Sequence, residues 1–244
     1  MVNKKSCLVI MLNNYIDIDD RLEKLLTILE KNERYYAEDA VVHYSGDESK
    51  NLYVVKEGWF ISYTDLYDGR RMVIKTHHPG DIIGFEGIYH EQPADLKSTT
   101  AGVLCPFSKQ NLDEIFRCSP KLSALLFSIS VREQIVATDR LKAVSRMGAQ
   151  ARLAYFLLDL IFRLRITNSS MTNEFHLPLT QTEIGDSIGL TNVSVSRAFS
   201  YLVGMQLVKR TNASIKLLDE LSLMKLCDYE DRYTKMDTSW FPCD

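Results

Sequence analysis

The sequence predicts an α+β protein with an N-terminal antiparallel β-roll, a long helix and a C-terminal winged helix-turn-helix. Three observations predict this order. Short segments rich in Val, Ile, Tyr and Thr, separated by glycines, fill residues 35–116. Apolar residues then recur at helical spacing over residues 120–147. Two capped helices and a hairpin follow within residues 180–218.

The β-roll is predicted mainly from its turns. Asp68 and Gly69 form a strong hairpin signal between FISYTDLY and RRMVIKTH. The run Pro79-Gly80-Asp81 marks a second turn. Upstream, residues 18–29 have apolar side chains at helical spacing, which predicts a helix over one end of the barrel. We expect residues 1–117 to form this sensor domain.

The long helix, residues 118–147, has a narrow apolar stripe that Arg132 and Asp139 interrupt. A stripe of this length favours a coiled-coil-like homodimer, although a helix packed on its own barrel would have the same pattern. A carboxylate beside such a seam is costly unless it is paired, so Asp139 is expected to bond Arg132 or Arg140 across the interface, or to weaken the dimer. The predicted dimer interface comprises Leu122, Leu125, Ile129, Arg132, Val136, Asp139, Ala143 and Met147.

Residues 148–218 predict the winged helix-turn-helix, built on an amphipathic helix over residues 149–165. Thr180 and Glu183 have the spacing of a capping box. Gly189 can end that helix in the left-handed conformation, and Thr191 is a good cap for the next. Residues 207–210 and 215–218 are predicted as the strands of a wing. An ordinary helical hairpin shares the caps and the apolar spacing.

The second helix of a helix-turn-helix presents its N-terminal residues to base edges in the major groove, so the motif predicts binding to double-stranded DNA. Val195, Phe199 and Leu202 repeat at helical spacing and are expected to pack inward. The predicted DNA-binding residues are Thr180, Thr191, Asn192, Val193, Ser194, Ser196, Arg197, Lys209 and Arg210.

Charge and composition limit which partners and which cellular location are expected. The net charge is -3, yet residues 180–218 contain four Lys or Arg against two Asp or Glu, which suits contact with phosphate. The acidic residues are concentrated elsewhere, notably in the tail, residues 219–244, which is predicted to be a solvated helix and chain end. No apolar stretch approaches the length of a membrane span, so a cytoplasmic protein without a membrane partner is expected.

The chain resembles the superfamily of the cyclic-AMP receptor protein and the fumarate and nitrate reduction regulator over residues 20–220. The matching segments are YSGDESKNLYVVKEGWFISY, HHPGDIIGFEGIY and TEIGDSIGLTNVSVSRAF. The segment GDIIGFEGI is similar to the fumarate and nitrate branch. The resemblance implies a homodimer that binds a two-fold symmetric operator, controls transcription and contacts RNA polymerase.

In the family pattern, a glutamate precedes a Gly or Ser followed by Arg on the groove face of the recognition helix. Ser196 and Arg197 match the last pair, while Val193 stands at the glutamate position. Arg197 can bond guanine O6 and N7, or a phosphate, and Val193 can contact a thymine methyl but cannot accept from cytosine. We therefore expect TTGAT-like or TTAAT-like half-sites. If Val193 only packs against the helix, that base pair is unspecified.

Family members that bind cyclic nucleotides resemble one another in a loop with a Gly-Glu pair for the ribose and an Arg-Ser or Arg-Thr pair for the phosphate. Phe85 stands where that glutamate is expected, and the Arg-Ser position falls near Asp95. An aspartate there would repel phosphate, so cyclic AMP is not the expected effector. A displaced effector pocket could use Phe85, Glu86, Lys97 and Ser98.

In the fumarate and nitrate regulator, which this chain resembles, four cysteines bind an iron-sulfur cluster, and three of them lie near the N-terminus. Cys105 matches the barrel cysteine, but Cys7 stands alone near the N-terminus, so no cluster and no other cofactor is expected. Cys105 and Cys118 are candidate thiol sensors, although apolar neighbours favour inert buried thiols at both. Haem, another family ligand, needs an axial residue that no histidine spacing singles out.

Two alternatives from other classes stay open. A cupin-type metalloenzyme needs two histidines separated by one residue, whereas His77 and His78 are adjacent, so neither a metal nor an enzyme activity is expected. A ligand-binding regulatory module with secondary DNA contact is the other alternative. It would be distinguished by the DNA binding of residues 149–218 alone.

Overall fold

The computed structural model describes residues 6–243, and its contacts divide the chain into two compact units. The first unit comprises the residues up to 129 together with those from 236 onward, and the second comprises residues 130–235. The predicted fold class is confirmed, since the first unit contains an antiparallel β-roll and the second a helix-turn-helix with a wing. Of the helices within residues 6–243, none combines the length and apolar character that crossing a membrane requires.

Two four-stranded antiparallel sheets form the β-roll, with strand orders β1-β8-β3-β6 and β2-β7-β4-β5. Its strands are β1 (Arg34–Tyr36), β2 (Val41–His43), β3 (Leu52–Glu57), β4 (Phe60–Asp65), β5 (Arg71–His77), β6 (Ile82–Ile83), β7 (Asp95–Ser98) and β8 (Gly102–Phe107). Tyr53, Phe60, Leu96 and Leu104 pack together in its core. The predicted Asp68-Gly69 hairpin joins β4 to β5, with Gly69 at φ 82°.

Four helices accompany the β-roll in the chain. They are α1 (Cys7–Asn13), α2 (Asp20–Leu26), α3 (Lys109–Cys118) and the long helix α4 (Pro120–Arg146). The helix predicted over residues 18–29 is therefore shorter than expected, since a 3-10 turn, Thr27–Glu30, completes it. Leu22, Leu26 and Leu29 of this segment are buried.

The predicted stripe on α4 is buried within this single chain. Leu122 and Leu125 have no exposed surface, and Val136 and Ala143 are almost fully covered. These apolar side chains already pack inside their own chain, while Arg132, Asp139 and Met147 are partly exposed, so the dimer interface on this stripe stays a prediction. The opposite side of α4 has a second, exposed apolar row comprising Phe127, Val131, Ile135 and Leu141.

The second unit contains the helix-turn-helix and its supports. Its remaining elements are α5 (Ala149–Thr167), β9 (Glu174–His176), α6 (Gln181–Ile188), α7 (Asn192–Gly204), β10 (Val208–Thr211), β11 (Ser214–Leu217) and α8 (Glu220–Cys227). The strands pair in the order β10-β11-β9, so the wing has a third strand that the sequence did not predict. Buried side chains of α5 form the core against which α7 and α8 pack.

The acidic tail was expected to be solvated, and for much of its length the structure corrects this expectation. Leu223 and Cys227 on α8 are buried, as are Tyr229 and Tyr233 beyond it. The hydroxyl of Tyr233 donates to Oδ1 of Asp159 on α5 at 2.6 Å. The acidic composition hides these apolar and aromatic positions, which complete the core of the second unit.

Candidate nucleic-acid interface

The helix-turn-helix begins with the predicted capping box at the N-terminus of α6. The backbone N–H of Glu183 donates to Oγ1 of Thr180 at 3.1 Å, and the N–H of Thr180 donates to Oε2 of Glu183 at 2.9 Å. These reciprocal bonds satisfy two backbone donors that the helix itself leaves unpaired. Thr180 is exposed, so its side chain lies at the surface but is committed to the cap.

The turn is built from Gly189, which ends α6 at φ 66° and ψ 42°. This left-handed conformation suits glycine because it has no Cβ. Nη1 of Arg152 on α5 donates to the carbonyl oxygens of Ile188 and Gly189, at 3.4 and 3.3 Å. A guanidinium at the C-terminus of a helix satisfies carbonyls that lack helical partners. Sequence reasoning missed Arg152, because the contact joins residues that are far apart in the chain.

Thr191 caps the recognition helix α7 as predicted, accepting from the N–H of Ser194 at 3.2 Å. The hydroxyls of Thr191 and Ser194 lie 3.0 Å apart, so both serve the cap. Asn192 is the first residue of the helix and is exposed. The hydroxyls of Thr191 and Ser194 are therefore engaged in capping the helix.

The outer face of α7 presents the remaining predicted groove residues to solvent. Val193 is 60% exposed, and Ser196 and Arg197 are exposed beside it. Val195, Phe199 and Leu202 are buried on the inner face, as their spacing predicts. Within residues 6–243 the guanidinium of Arg197 has no ion pair or hydrogen bond, so it is free to bind an incoming acceptor.

The two predicted cations of the wing point to opposite faces of β10. Lys209 is exposed and pairs in register with Lys216 of β11. Arg210 is half-buried, with its guanidinium 4.3 Å from the ring centroid of Phe199. Like charges directly opposite each other destabilise a strand pair. Glu174 on β9 stands in register with Lys216, and its Oε1 accepts a hydrogen bond from Oγ of Ser214.

Lys97 and Ser98 of the predicted effector pocket cannot hold one phosphate between them. They are adjacent on β7 and therefore point to opposite faces of the sheet. Ser98 is fully buried, where its Oγ donates to the carbonyl oxygen of Ala37 and accepts from the N–H of Ala40. Lys97 lies 3.2 Å from a carboxylate oxygen of Asp39. The prediction of a shared anion site at these two residues is wrong.

Phe85 and Glu86 lie where the predicted pocket would open. Phe85 is half-buried and precedes a short 3-10 turn, Glu86–Ile88, in which Glu86 is exposed. A Cβ at Gly87 would lie 2.4 Å from Oγ of Ser49, which accepts a hydrogen bond from the buried amide of Gln92. Protein side chains therefore fill the interior of this loop.

The two candidate thiol sensors lie in different environments. Cys105 on β8 is fully buried, and this burial raises the pKa of its thiol to about 11. Cys118 ends α3 and is exposed, so the expectation of a buried thiol is wrong there. Because thiolate is the reactive form, Cys105 is protected both by its pKa and by its burial.

The histidines have structural contacts. Nε2 of His77 lies 2.8 Å from Oγ of Ser62, and the backbone N–H of His78 donates to Oδ2 of Asp81. Both rings are buried. Throughout residues 6–243, no three His, Cys, Asp or Glu side chains are grouped in a way that could hold a metal ion.

The fold and the exposed face of α7 together define the class of the protein, a winged helix-turn-helix protein with an N-terminal β-roll. Residues 33–118 match the family described as Cyclic nucleotide-binding domain, and residues 151–226 match the Crp-like helix-turn-helix domain. These matches correspond to the β-roll with α3 and to the second unit from α5 to α8.

Curated relatives are similar to this chain over most of its length. The chain is 28% identical over 183 residues to the Fumarate and nitrate reduction regulatory protein of Vibrio cholerae, covering 75% of this chain and 73% of that protein. It is 29% identical over 225 residues to Electron transport regulator A of Shewanella oneidensis, covering 89% and 86%. The solved structure of FixK2 from Bradyrhizobium japonicum has 26% identity and a TM-score of 0.71, over 80% of this chain and 96% of that one.

The chain therefore belongs to the CRP/FNR family of DNA-binding transcription regulators, with relatives named for the fumarate and nitrate branch. Cys7 is the only cysteine before Cys105 in the sequence.

Proposed function

We propose that the protein regulates transcription as a homodimer that binds an A/T-rich inverted repeat with TTGAT-like or TTAAT-like half-sites. One observation carries the proposal: Val193 and Arg197 stand together on the solvent side of α7, in its first two turns. Arg197 offers the fork that matches guanine or a phosphate, and the methyl groups of Val193 match the methyl of thymine. Thr180, Thr191, Asn192 and Lys209 flank them as contacts to the phosphate backbone.

The second copy in this proposal covers the exposed row on α4, not the stripe predicted from the sequence. Phe127, Val131, Ile135 and Leu141 leave an apolar strip along a helix of 27 residues. Such a strip is unfavourable in water, and two-fold pairing of α4 with itself removes it from solvent on both chains. The family resemblance implies the same symmetry, as well as a contact with RNA polymerase at the promoter.

The proposed regulator does not use cyclic AMP. Binding its phosphate needs a cation and donors on one surface, whereas Lys97 and Ser98 lie on opposite faces of β7. Asp95 lies beside them, and one of its carboxylate oxygens accepts from the N–H of Ser45 at 2.6 Å. A carboxylate in this position repels an anion.

An iron-sulfur cluster does not fit the residues of this chain. Such a cluster takes four thiolates, or two histidines in place of two of them. Cys105 is buried among β8 neighbours, with the charged groups of Glu30 and Lys56 near its sulfur, while Cys118 is exposed at the end of another element. The donor set is therefore incomplete, and we propose that the signal does not pass through a cluster.

Selection of bound sequences from random duplex DNA, with purified full-length protein, tests the proposal. We expect an inverted repeat recovered equally with and without reductant, with A·T at the base pair facing Val193. A G·C pair at that position would overturn the specificity. An unrelated or absent consensus would overturn the DNA-binding assignment of α7.

Two variants make the test specific. Arg197→Ala should abolish enrichment, whereas Arg117→Ala, which removes an exposed arginine from α3, should not change it. Ile135→Glu places a charge in the proposed seam and should yield monomers in analytical ultracentrifugation. Persistent dimers after this substitution would show that another surface pairs the chains.

A further inference from the structure

The chain beyond α8 returns to α4 and α5 inside the second unit. Residues 228–233, here called the latch, contact both helices through different side chains. This arrangement matters because α4 and α5 are joined only by Met147 and Gly148. Gly148 precedes α5 without any side-chain cap, so the junction itself offers little resistance to bending.

Two tyrosines hold the latch to α5. The ring of Tyr229 packs against Tyr155 and Phe162, with centroid distances of 5.4 and 5.3 Å. Tyr233 is 2% exposed and donates its hydroxyl to Asp159 at 2.6 Å. The latch is held in one position on α5, because these aromatic pairs and the buried hydrogen bond to a carboxylate form only there.

Charged side chains hold the same six residues to α4. Nε of Arg232 donates to Oδ2 of Asp139 at 2.8 Å, and both side chains of this pair are partly exposed. The guanidinium of Arg132 lies 5.0 Å from the ring centroid of Tyr233. Lys142 pairs with Asp228 in an exposed position, where the contribution is small.

These contacts correct the earlier expectation for Asp139, whose partner is Arg232 of its own chain and not Arg132 or Arg140 of a second copy. They also explain why a carboxylate is tolerated on a mostly buried face of α4.

Further contacts lie at the junction. Nη2 of Arg140 on α4 lies 3.5 Å from the carbonyl oxygen of Ser187 on α6, at the limit of a hydrogen bond. Nε of Arg152 donates to the carbonyl oxygen of Met147 within the junction itself. The latch joins the two helices through partly exposed groups on α4 and buried groups on α5.

The geometry points to a positioning role in DNA binding: the latch fixes the angle between α4 and α5, and with it the distance between the two recognition helices of a dimer. The inference rests on the proposed homodimer on an inverted repeat. Because α7 packs on α5, a change in that angle moves Val193 and Arg197 relative to the two-fold axis. Half-site spacing on DNA follows from that distance.

The test compares full-length wild type with the double variant Arg232→Gln, Tyr233→Phe. Arg232→Gln shortens the side chain and removes its charge, which breaks the ion pair with Asp139, and Tyr233→Phe removes only the hydroxyl that bonds Asp159. The control is Lys235→Gln, which makes the same change of charge at an exposed residue just beyond the latch. Dissociation constants are measured on the selected inverted repeat and on repeats with one base pair added to or removed from the spacer.

We expect wild type and Lys235→Gln to bind the altered spacers about tenfold more weakly, equivalent to ~1.4 kcal/mol, and the double variant to lose most of this preference. Loss of folding alone would weaken binding to all three repeats by the same factor. A folded double variant that kept the wild-type preference would overturn the positioning role, as would a wild type without any preference.

Hydrogen exchange provides a measurement that needs no DNA. The amide of Met147 bonds to the carbonyl of Ala143, and that of Arg152 bonds to the carbonyl of Gly148. Both amides should exchange faster in the double variant than in Lys235→Gln. Unchanged exchange rates would overturn the positioning role of the latch, whether or not the protein binds DNA. Failure of the wild type to bind any inverted repeat would disprove the proposed function instead.

If the double variant does not fold, the charge swap Asp139→Arg with Arg232→Asp replaces it. Each single substitution should relax the spacing preference, and the swap should restore it. A swap no better than either single change would overturn the role of this pair.

Discussion

Gly185 of α6 and Leu190 of the turn lie so close that a Cβ added at Gly185 would be 2.4 Å from the carbonyl oxygen of Leu190. The N–H of Leu190 donates to the carbonyl of Gly185 at 3.0 Å, so the backbones of the two residues pack directly on each other. The chain can reverse between α6 and α7 in this way only if residue 185 has no side chain.

Gly185→Ala should therefore destabilise the second unit. Forcing a methyl group against backbone atoms costs about 1–3 kcal/mol of unfolding free energy. Gly204→Ala is the matched control, since a Cβ there meets nothing within 4 Å and alanine favours a helix. Urea denaturation followed by far-UV circular dichroism measures both. Equal stability of the two variants would mean that the turn moves aside at little cost.

Val193→Glu should change the base preference of α7. A carboxylate can accept from the N4 amino group of cytosine, which valine cannot, so G·C should replace A·T at the facing base pair. Val203→Glu is the control, because Val203 is also exposed on α7 but lies near its C-terminal end. Selection from random DNA compares the two. An unchanged consensus with Val193→Glu would indicate that residue 193 does not face a base.

Four of the five cysteines should separate into two groups by their reaction with a maleimide at pH 8. Burial raises the pKa of the Cys105 thiol to about 11 and that of Cys227 to about 12, so about one thousandth or less of each is thiolate at that pH. Cys118 and Cys243 are exposed and should label first. Peptide mass spectrometry before and after unfolding in urea gives the rates. Rapid labelling of native Cys105 would contradict its burial.

His43 should make the stability of the β-roll depend on pH. Burial lowers its pKa, while the nearby carboxylates of Asp47 and Asp95 act in the opposite direction. With a lower pKa in the folded protein, the unfolded chain takes up the proton first as the pH falls. Unfolding free energy should therefore decrease as the pH falls through about 6.5 and toward the lower folded value.

The variant His43→Gln should reduce this loss, whereas His90→Gln, at an exposed histidine, should not. Both tryptophans, Trp59 and Trp240, belong to the first unit, so their fluorescence reports its unfolding in urea. Parallel pH profiles for wild type and His43→Gln would assign the acid sensitivity to other groups.

Local signals in the sequence are enough to predict the helix-turn-helix. The capping pair Thr180 and Glu183, the left-handed Gly189 and the cap Thr191 each act within a few residues, and the structure contains all of them. The same holds for the hairpin at Asp68 and Gly69. Such features depend on backbone chemistry that neighbouring residues determine.

Nonlocal contacts could not be predicted in the same way. Periodicity shows that α4 has an apolar face at Leu122 and Val136, but not which part of the chain covers it. Adjacency in sequence suggests that Lys97 and Ser98 act together, but neighbouring residues of a strand point to opposite faces of the sheet. The strand β9 has only three residues, too few for a pattern, and forms because β11 offers it an edge.

The burial of Tyr233 against Asp159 also determines when the protein can finish folding in the cell. The two residues are 74 positions apart, so Tyr233 leaves the ribosome well after Asp159. While the chain is still on the ribosome, α5 has its aromatic side chains without the cover they receive from Tyr229. A nonsense mutation after α8 would leave that surface permanently open, so quality-control proteases should remove such truncated chains although the helix-turn-helix itself is complete.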